Sequence, residues 1–328
     1  MGPDDRGSSG EPQAPGPRTV RAAPDIDVQV PEEPRPVARG APERKLVRVD
    51  RYDRRAEVTA YETLTPTGTV RISFKVVDDQ EFSFKPGQFV GIRADVRKVG
   101  PRKTPYCIIS PPNGRTFQLL VRLVPEGPLS QYLGSLRIGD VIAFRGPTGR
   151  SMVPKEEETE LVLLATGVGI GPFLGLTEHL YSHGFDRRTR LFWGLRLQED
   201  ICLIEELEDL ARRHPGFSYQ ITLSQPPPTW GGLRGRLTET VPGLLETLGG
   251  KHYYLVGNGA MIEEMTEALS DLGVFKHLMY EEPYFNARYK ADPKTLAEIR
   301  ERFVARDLVS PLAHREALER ELVQRYRR

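Results

Sequence analysis

Cysteine is scarce. Cys107 and Cys202 are the only two in 328 residues. Two thiols cannot hold a plant-type iron–sulfur cluster, which takes four cysteine ligands. Nor can they make a disulfide framework, so a reducing cytoplasm is the expected compartment. Long apolar runs are also missing. No uninterrupted stretch is long enough to cross a bilayer, and the first residues lack the apolar centre of a signal peptide, so neither a membrane span nor export is expected. There is no excess of one charge. With 46 Lys and Arg against 45 Asp and Glu the net charge is +1, which gives no strong field to argue for a nucleic-acid partner. Histidine is sparse: His179, His183 and His214 are scattered, read as surface or core residues, and predict no metal site.

What remains is a globular composition, 38% hydrophobic and 28% charged, with a length that suits about two domains. Residues 1–44 are rich in Pro, Gly and charge and poor in aromatics. They cannot bury enough apolar area to offset ordering entropy, and a disordered tail is expected there. Over residues 45–155 the pattern is short β-rich runs: "AEVTAYETL", "TVRISFKVV", "QFVGIRA", "YCIIS", "TFQLLVRLV" and "DVIAFRG". One helix, "PLSQYLGSL", interrupts them with Leu129, Leu133 and Leu136 on one face. Six strands and a helix predict a closed antiparallel barrel. Over residues 158–285 strands ("ELVLLAT", "RLFWGLR", "FSYQITL", "YYLVGN") alternate with helices at 172–183, 202–213 and 260–272. That order predicts a doubly wound parallel sheet with ligands beyond the carboxyl ends of its strands. Residues 286–328 are expected to be a helical extension. Asp292-Pro293 and Ser310-Pro311 are N-cap pairs there, and Leu296, Ile299 and Phe303 recur at helical spacing.

The stretch "LLATGVGIGPFLGL", residues 163–176, carries the densest signal. A dinucleotide fingerprint is Gly-x-Gly-x-x-Gly after a strand and before a helix. Gly167 and Gly169 fit, Gly171 comes one residue early, and Pro172 holds the third position. Proline costs nothing at the first turn of a helix, whose N–H groups have no intrahelical partner. Phe173, Leu176 and Leu180 continue the helical spacing, and Gly184 makes a C-cap. Backbone N–H groups at such a turn can hold a pyrophosphate.

A barrel followed by a nucleotide domain, with spaced motifs in a fixed order, resembles the ferredoxin–NADP reductase family of flavoproteins over about residues 46–285. That resemblance implies a six-stranded Greek-key barrel holding FAD, then an α/β domain holding NADP or NAD. "PGQFV" matches a turn into a barrel strand, and "GPTG" the barrel's exit. "RKTPYCIISPP" resembles the family's Arg-x-Tyr-Ser-x-x-Ser flavin motif. Tyr106 and Ser110 match, while Thr104 stands at the Arg position and Cys107 at the first Ser. The resemblance therefore assigns Arg102, Thr104, Tyr106, Cys107, Ile108 and Ser110 to the flavin, with Arg102 or Lys103 as substitute for the missing phosphate-binding Arg. Cys107 keeps only a weak S–H donor where a hydroxyl is usual. "GPLSQYL" matches Gly-x-x-Ser, placing Gly127, Leu129 and Ser130 at the flavin pyrophosphate.

In the second domain "ATGVGIGPF" is similar to the family's Gly-x-Gly-x-x-Pro loop, implying nucleotide contacts from Thr166, Gly167, Gly169 and Pro172. "LVGNGAM" resembles Cys-Gly-x-x-x-Met, with Gly257, Asn258 and Met261 in place and Val256 where Cys is usual. Ser224, Arg234, Arg236 and Arg196 resemble the residues that surround a 2′-phosphate, whereas Gln225 stands where an Arg is usual and argues for NADH or mixed use. "MYEEPYFN" resembles the terminal strand, in which a Glu precedes an aromatic that stacks on the flavin. Glu281 or Glu282, with Tyr284 or Phe285, fill those roles. The family chemistry is hydride transfer between NAD(P)H and FAD and single-electron exchange with a small carrier, ferredoxin or flavodoxin. The basic segment over residues 93–103, with Arg93, Arg97, Lys98, Arg102 and Lys103, is expected as a solvated loop that could steer an acidic carrier. Two rivals stand beside this reading: an NADH-dependent electron-transfer component of an oxygenase, and a non-catalytic flavin- or nucleotide-binding module.

Overall fold

The structure is a computed structural model, described here for residues 54–96, 100–154, 159–305 and 307. The tail expected over residues 1–44, Arg97 and Lys98 of the basic segment, and the Ser310-Pro311 pair lie outside the described residues.

The first sheet is antiparallel. Its strands are β1 (Arg54–Thr63), β2 (Thr69–Val76), β3 (Phe89–Val96), β4 (Gly100–Cys107), β5 (Thr116–Arg122) and β6 (Val141–Thr148), in the order β4-β3-β6-β1-β2-β5. The two edges meet where Ile108, just past β4, bridges to Leu119 of β5, which gives the expected barrel its closure. Alternate residues point inward because successive strand side chains face opposite ways. Val70, Ile72, Phe74 and Val76 of β2 are buried against Phe117, Leu119 and Val121 of β5. Helix α1 (Pro128–Gly134) inserts Leu129 and Leu133 into this core, joined by Leu136.

One expectation is corrected here. The basic segment is not a loop: Arg93 pairs with Lys103 and Ala94 with Arg102 in the β3–β4 hairpin. Charged residues and prolines along an edge strand look like loop in a sequence, yet they are what keeps an exposed β edge from pairing with another chain.

The second sheet is wholly parallel: β7 (Glu160–Thr166), β8 (Thr189–Leu195), β9 (Phe217–Leu223), β10 (Leu233–Arg234), β11 (Lys251–Asn258) and β12 (Met279–Phe285), ordered β10-β9-β8-β7-β11-β12. Its central strands β7, β8 and β11 are buried on both faces. Leu161, Leu163 and Ala165 of β7 face α2 (Gly171–Ser182) and α3 (Ile204–Arg213), while Val162 and Leu164 face α4 (Leu237–Thr240) and α5 (Gly259–Asp271). The chain winds outward from β7 and then returns to β11, so the direction of winding reverses between β7 and β11.

The glycine turn is a single 3₁₀ turn, Gly167–Ile170, and α2 follows at Gly171. The early glycine now has an explanation. A Cβ on Gly171 would lie 2.4 Å from Ile109 Cγ2, and one on Gly175 would lie 2.6 Å from the Ile109 carbonyl oxygen. Both glycines let the barrel's residues 109–110 pack onto α2. Ion pairs add to this contact: Arg122 to Asp200 at 2.9 Å and Arg71 to Glu206 at 2.6 Å.

After β12 the chain continues through residues 286–292 into α6 (Pro293–Glu301), whose N-cap Asp292 accepts from the N–H groups of Lys294 and Thr295. Ile299 and Phe303 are buried beside Met265 and Leu269 of α5.

Candidate active site: two cavities with a shared wall

The carboxyl ends of β7 and β11 open into a cavity of about 660 Å³. Thr166, Gly167, Asn258 and Met261 line its middle, and Arg196, Ser224 and Arg236 converge on it from the ends of β8, β9 and β10. The strand ends are held together locally. The Thr166 hydroxyl accepts from the Asn258 N–H at 2.7 Å, and the Asn258 side chain caps α5 by accepting from Ala260 at 2.8 Å. Trp193 lies beneath the glycine turn, where its indole N–H donates to the Gly167 carbonyl at 2.8 Å. Arg196 Nε donates to Gln225 Oε1 at 3.1 Å, so the residue that replaces the usual Arg orients its neighbour instead.

A second cavity, about 480 Å³, opens in the barrel. Tyr106, Cys107, Gly127, Leu129 and Ser130 line it, with Arg102 and Thr104 at one side and Glu282 and Tyr284 at the other. Leu120, Arg122, Val168 and Phe285 belong to both cavities. Of these, Phe285 is half exposed where the two cavities meet.

The structure gathers most of the residues singled out in the sequence, but not all of them. Ile108 is buried in the barrel core, and the Ser110 hydroxyl accepts from the Gln118 N–H at 3.2 Å; neither lines a cavity. Gly169 and Pro172 are buried in the packing around the glycine turn, and Gly257 presses against Thr166. The Arg234 guanidinium binds the carbonyls of Pro227, Pro228 and Trp230, so it holds its own loop. Ser130 lines the barrel cavity, yet its hydroxyl ties Val124 to Gly127, accepting at 3.1 Å and donating at 2.9 Å. Of the terminal-strand candidates, Glu282, Tyr284 and Phe285 line the barrel cavity, whereas Glu281 is exposed and lines neither cavity. Arg122, Asp200 and Trp193 were not singled out in the sequence. Their roles arise from contacts far apart in the chain, and no local signal marks them.

Burial sets the electrostatics of the barrel cavity. It pushes the Cys107 thiol up to about 12, with the Tyr284 hydroxyl as a neighbour, and Tyr106 also to about 12. Burial likewise raises the Glu282 carboxyl, although the Tyr280 hydroxyl at 3.3 Å and the Arg150 charge pull the other way. Glu282 therefore keeps its proton to a higher pH than an exposed carboxyl does. Cys107 is correspondingly a protonated thiol. We expect iodoacetamide at pH 8 to label neither Cys107 nor Cys202, whose thiol burial raises to about 11, until the chain is unfolded. Labelling of the native protein within minutes, read by mass spectrometry, would contradict this.

The residues present fit FAD and a dinucleotide. Tyr284 lines the cavity with its hydroxyl buried beside the Cys107 thiol, a weak partner that leaves hydrogen-bonding capacity for a bound group. A Cβ on Gly127 would strike Ser130 Oγ at 2.6 Å, so the cradle is closed to any larger residue. Arg102 and Arg122 bring positive charge to a cavity whose phosphate-binding Arg is replaced by Thr104. Among the described residues no group of three or more metal-ligating side chains occurs, and no helix is long and apolar enough to cross a membrane.

Comparison with known proteins agrees with the geometry. The oxidoreductase FAD-binding domain matches residues 56–152 and the oxidoreductase NAD-binding domain residues 163–267. The chain is thus an FAD- and NAD-binding oxidoreductase. It is 31% identical over 237 residues to ferredoxin–NADP reductase B of Sorangium cellulosum, covering 70% of this chain and 96% of that one. With the ferredoxin–NAD(P)(+) reductase component of the naphthalene 1,2-dioxygenase system of Pseudomonas putida it shares 25% identity over 222 residues, covering 67% of this chain and just 66% of that protein. The fold is similar to that of the Amycolatopsis cytochrome P450 reductase GcoB, with a TM-score of 0.64 and 22% identity, covering 71% of this chain and 70% of that one. The chain belongs to the ferredoxin–NADP reductase family of flavoprotein reductases.

Proposed function

We propose that this reductase uses NADPH in preference to NADH and hands electrons singly to a small acidic carrier, a ferredoxin or flavodoxin. The observation that carries the proposal is the wall common to the two cavities, which lets a nicotinamide ring lie against a flavin ring. When bound, FAD supplies the redox chemistry, taking a hydride and giving up electrons one at a time. The chain binds, orients and excludes water. Tyr106 and Cys107, which line the barrel cavity, would border the flavin, and the Cys107 S–H would serve there as a weak donor. Phe285 covers the junction and swings aside for the nicotinamide. Glu282, whose carboxyl burial raises above the ordinary range, lines the barrel cavity. Arg122, shared by both cavities and paired with Asp200, fixes the angle at which they meet. Arg102 of the basic hairpin puts positive charge at the flavin cavity, the sign that attracts an acidic carrier.

Coenzyme choice rests on Arg196, Ser224 and Arg236 at one end of the larger cavity. A charge-assisted bond to phosphate is worth ~1.5–3 kcal/mol, so Arg196→Ala or Arg236→Ala should raise the KM for NADPH by roughly 10-fold or more and leave that for NADH within about 2-fold. Stopped-flow bleaching of the flavin by each coenzyme tests this. Equal rates with both coenzymes, unmoved by either substitution, would overturn the NADPH assignment. A second reading, an NADH-dependent component of an oxygenase, draws on Gln225 at an Arg position and on the Pseudomonas relative. Reduction by NADH alone would favour it.

A further inference from the structure

Past the end of β12 the chain runs along the nucleotide cavity, which Asn286 and Tyr289 line. This segment, residues 286–292, is tied down at both ends. At its start Asn286 adopts a φ of 55°, and its carbonyl accepts from the Tyr289 N–H at 2.9 Å. The segment lies so close on the first residue of α5 that a Cβ on Gly259 would stand 2.2 Å from the Asn286 carbonyl oxygen. At its far end Asp292 caps α6. That helix is anchored by the Arg300–Asp271 ion pair at 2.6 Å, and beyond it Asp307 accepts from the N–H groups of Leu248 and Gly249.

Between these anchors Tyr289 lines the nucleotide cavity. Its hydroxyl donates to Glu264 Oε1 at 2.9 Å, and Glu264 is 4% exposed on the second turn of α5, so the ring is fixed at the cavity wall. Three aromatic residues line this cavity: Trp193, Phe285 and Tyr289. Trp193 is 1% exposed and spent beneath the glycine turn, and Phe285 stands at the flavin junction. Tyr289 is the remaining ring. It lies within the field of Arg236, which lines the same cavity.

We propose that residues 286–292 form a tethered wall of the nucleotide cavity, and that Tyr289, pinned by Glu264, stacks on the purine of the bound coenzyme. This deepens the reading of that cavity as the NAD(P)H site and rests on it. An aromatic face suits a purine because stacking needs only a π surface. The pinned hydroxyl reduces the rotamer freedom lost on binding.

The test uses the flavin-loaded full chain and three probes: adenosine 2′,5′-bisphosphate, NADPH and reduced nicotinamide mononucleotide, which lacks the adenosine. Tyr289→Ala is expected to weaken adenosine 2′,5′-bisphosphate binding by roughly 10-fold in calorimetry. It should raise the KM for NADPH similarly while kcat stays within about 2-fold. Turnover of the mononucleotide should be unchanged. Tyr289→Phe, which keeps the ring and loses only its pin, should restore most of the binding. Unaltered bisphosphate binding in Tyr289→Ala would overturn the proposal, and so would an equal loss with the mononucleotide, which would mark a merely structural strap. If the wild-type protein itself fails to bind the bisphosphate, the reading of the cavity fails rather than the role of Tyr289.

Discussion

A Gly257→Ala protein should keep its FAD and its yellow colour, but lose reduction by NADPH by about 100-fold. Gly257 has a φ of 125°, a region that a residue with a side chain avoids. A Cβ there would sit 2.3 Å from Thr166 Oγ1 and 2.6 Å from the Thr166 carbonyl oxygen. Neither neighbour can yield cheaply, because the first holds the Asn258 N–H and the second is backbone at the end of β7. The strand ends must part, and both the glycine turn and the start of α5 move with them. A displacement of about 1 Å between reacting groups can cost 10²-fold in rate. The barrel cavity does not touch Gly257, so flavin content is the internal control. The measurement is the stopped-flow bleaching rate alongside the FAD-to-protein ratio. A variant that is reduced at the wild-type rate would show that the junction tolerates the movement.

Asp78→Ala is expected to cost ~3–5 kcal/mol of stability, the usual result of stripping one partner from a buried ion pair. The Arg54 and Asp78 side chains are only 8% and 12% exposed, and the guanidinium donates to Asp78 Oδ1 at 3.1 Å. Arg54 also reaches the Gly146 and Gln80 carbonyls and lies 5.3 Å from the centres of the Phe82 and Phe144 rings. Removing the carboxylate leaves that charge buried without its counter-ion. The melting temperature should fall by roughly 10 °C. The wild-type pair also predicts acid sensitivity. Burial pushes the Asp78 carboxyl up, but the Arg54 bonds and the N–H groups of Arg55 and Gln80 outweigh it, so it stays below the ordinary carboxylate range. A carboxyl lowered by folding stabilises fully above its unfolded pKa, and that stability disappears as pH falls through the folded pKa. Urea titrations between pH 7 and pH 3 should therefore show the difference between wild type and Asp78→Ala narrowing toward acid. A constant difference would place the effect in packing.

Much of the fold was legible because it rests on local patterns. Alternation in "TVRISFKVV" and the run "ELVLLAT" report one buried face and two buried faces, and Asp292-Pro293 is a helix start in any context. The basic hairpin was missed because an edge strand carrying charge and proline has the composition of a loop. The two-residue β10 was missed because it carries no period at all. Within the site, the strand-to-helix turns were legible through their glycines and their order. What those glycines do was not: Gly171 and Gly175 serve the approach of the barrel, a contact between residues more than 60 positions apart. That Glu282 and not Glu281 lines the barrel cavity depends on which side of β12 faces the barrel, and that follows from tertiary packing rather than from the local sequence. Arg122 and Asp200 escaped notice because an ion pair between lobes leaves no trace in either segment.

The common border of the two cavities limits how such an enzyme can be redesigned. Leu120, Arg122, Val168 and Phe285 each line both cavities, so a substitution that reshapes one reshapes the other. Arg196, Ser224 and Arg236 line the larger cavity alone, so on the proposed reading they are where an engineer would rewrite coenzyme choice without disturbing the common border.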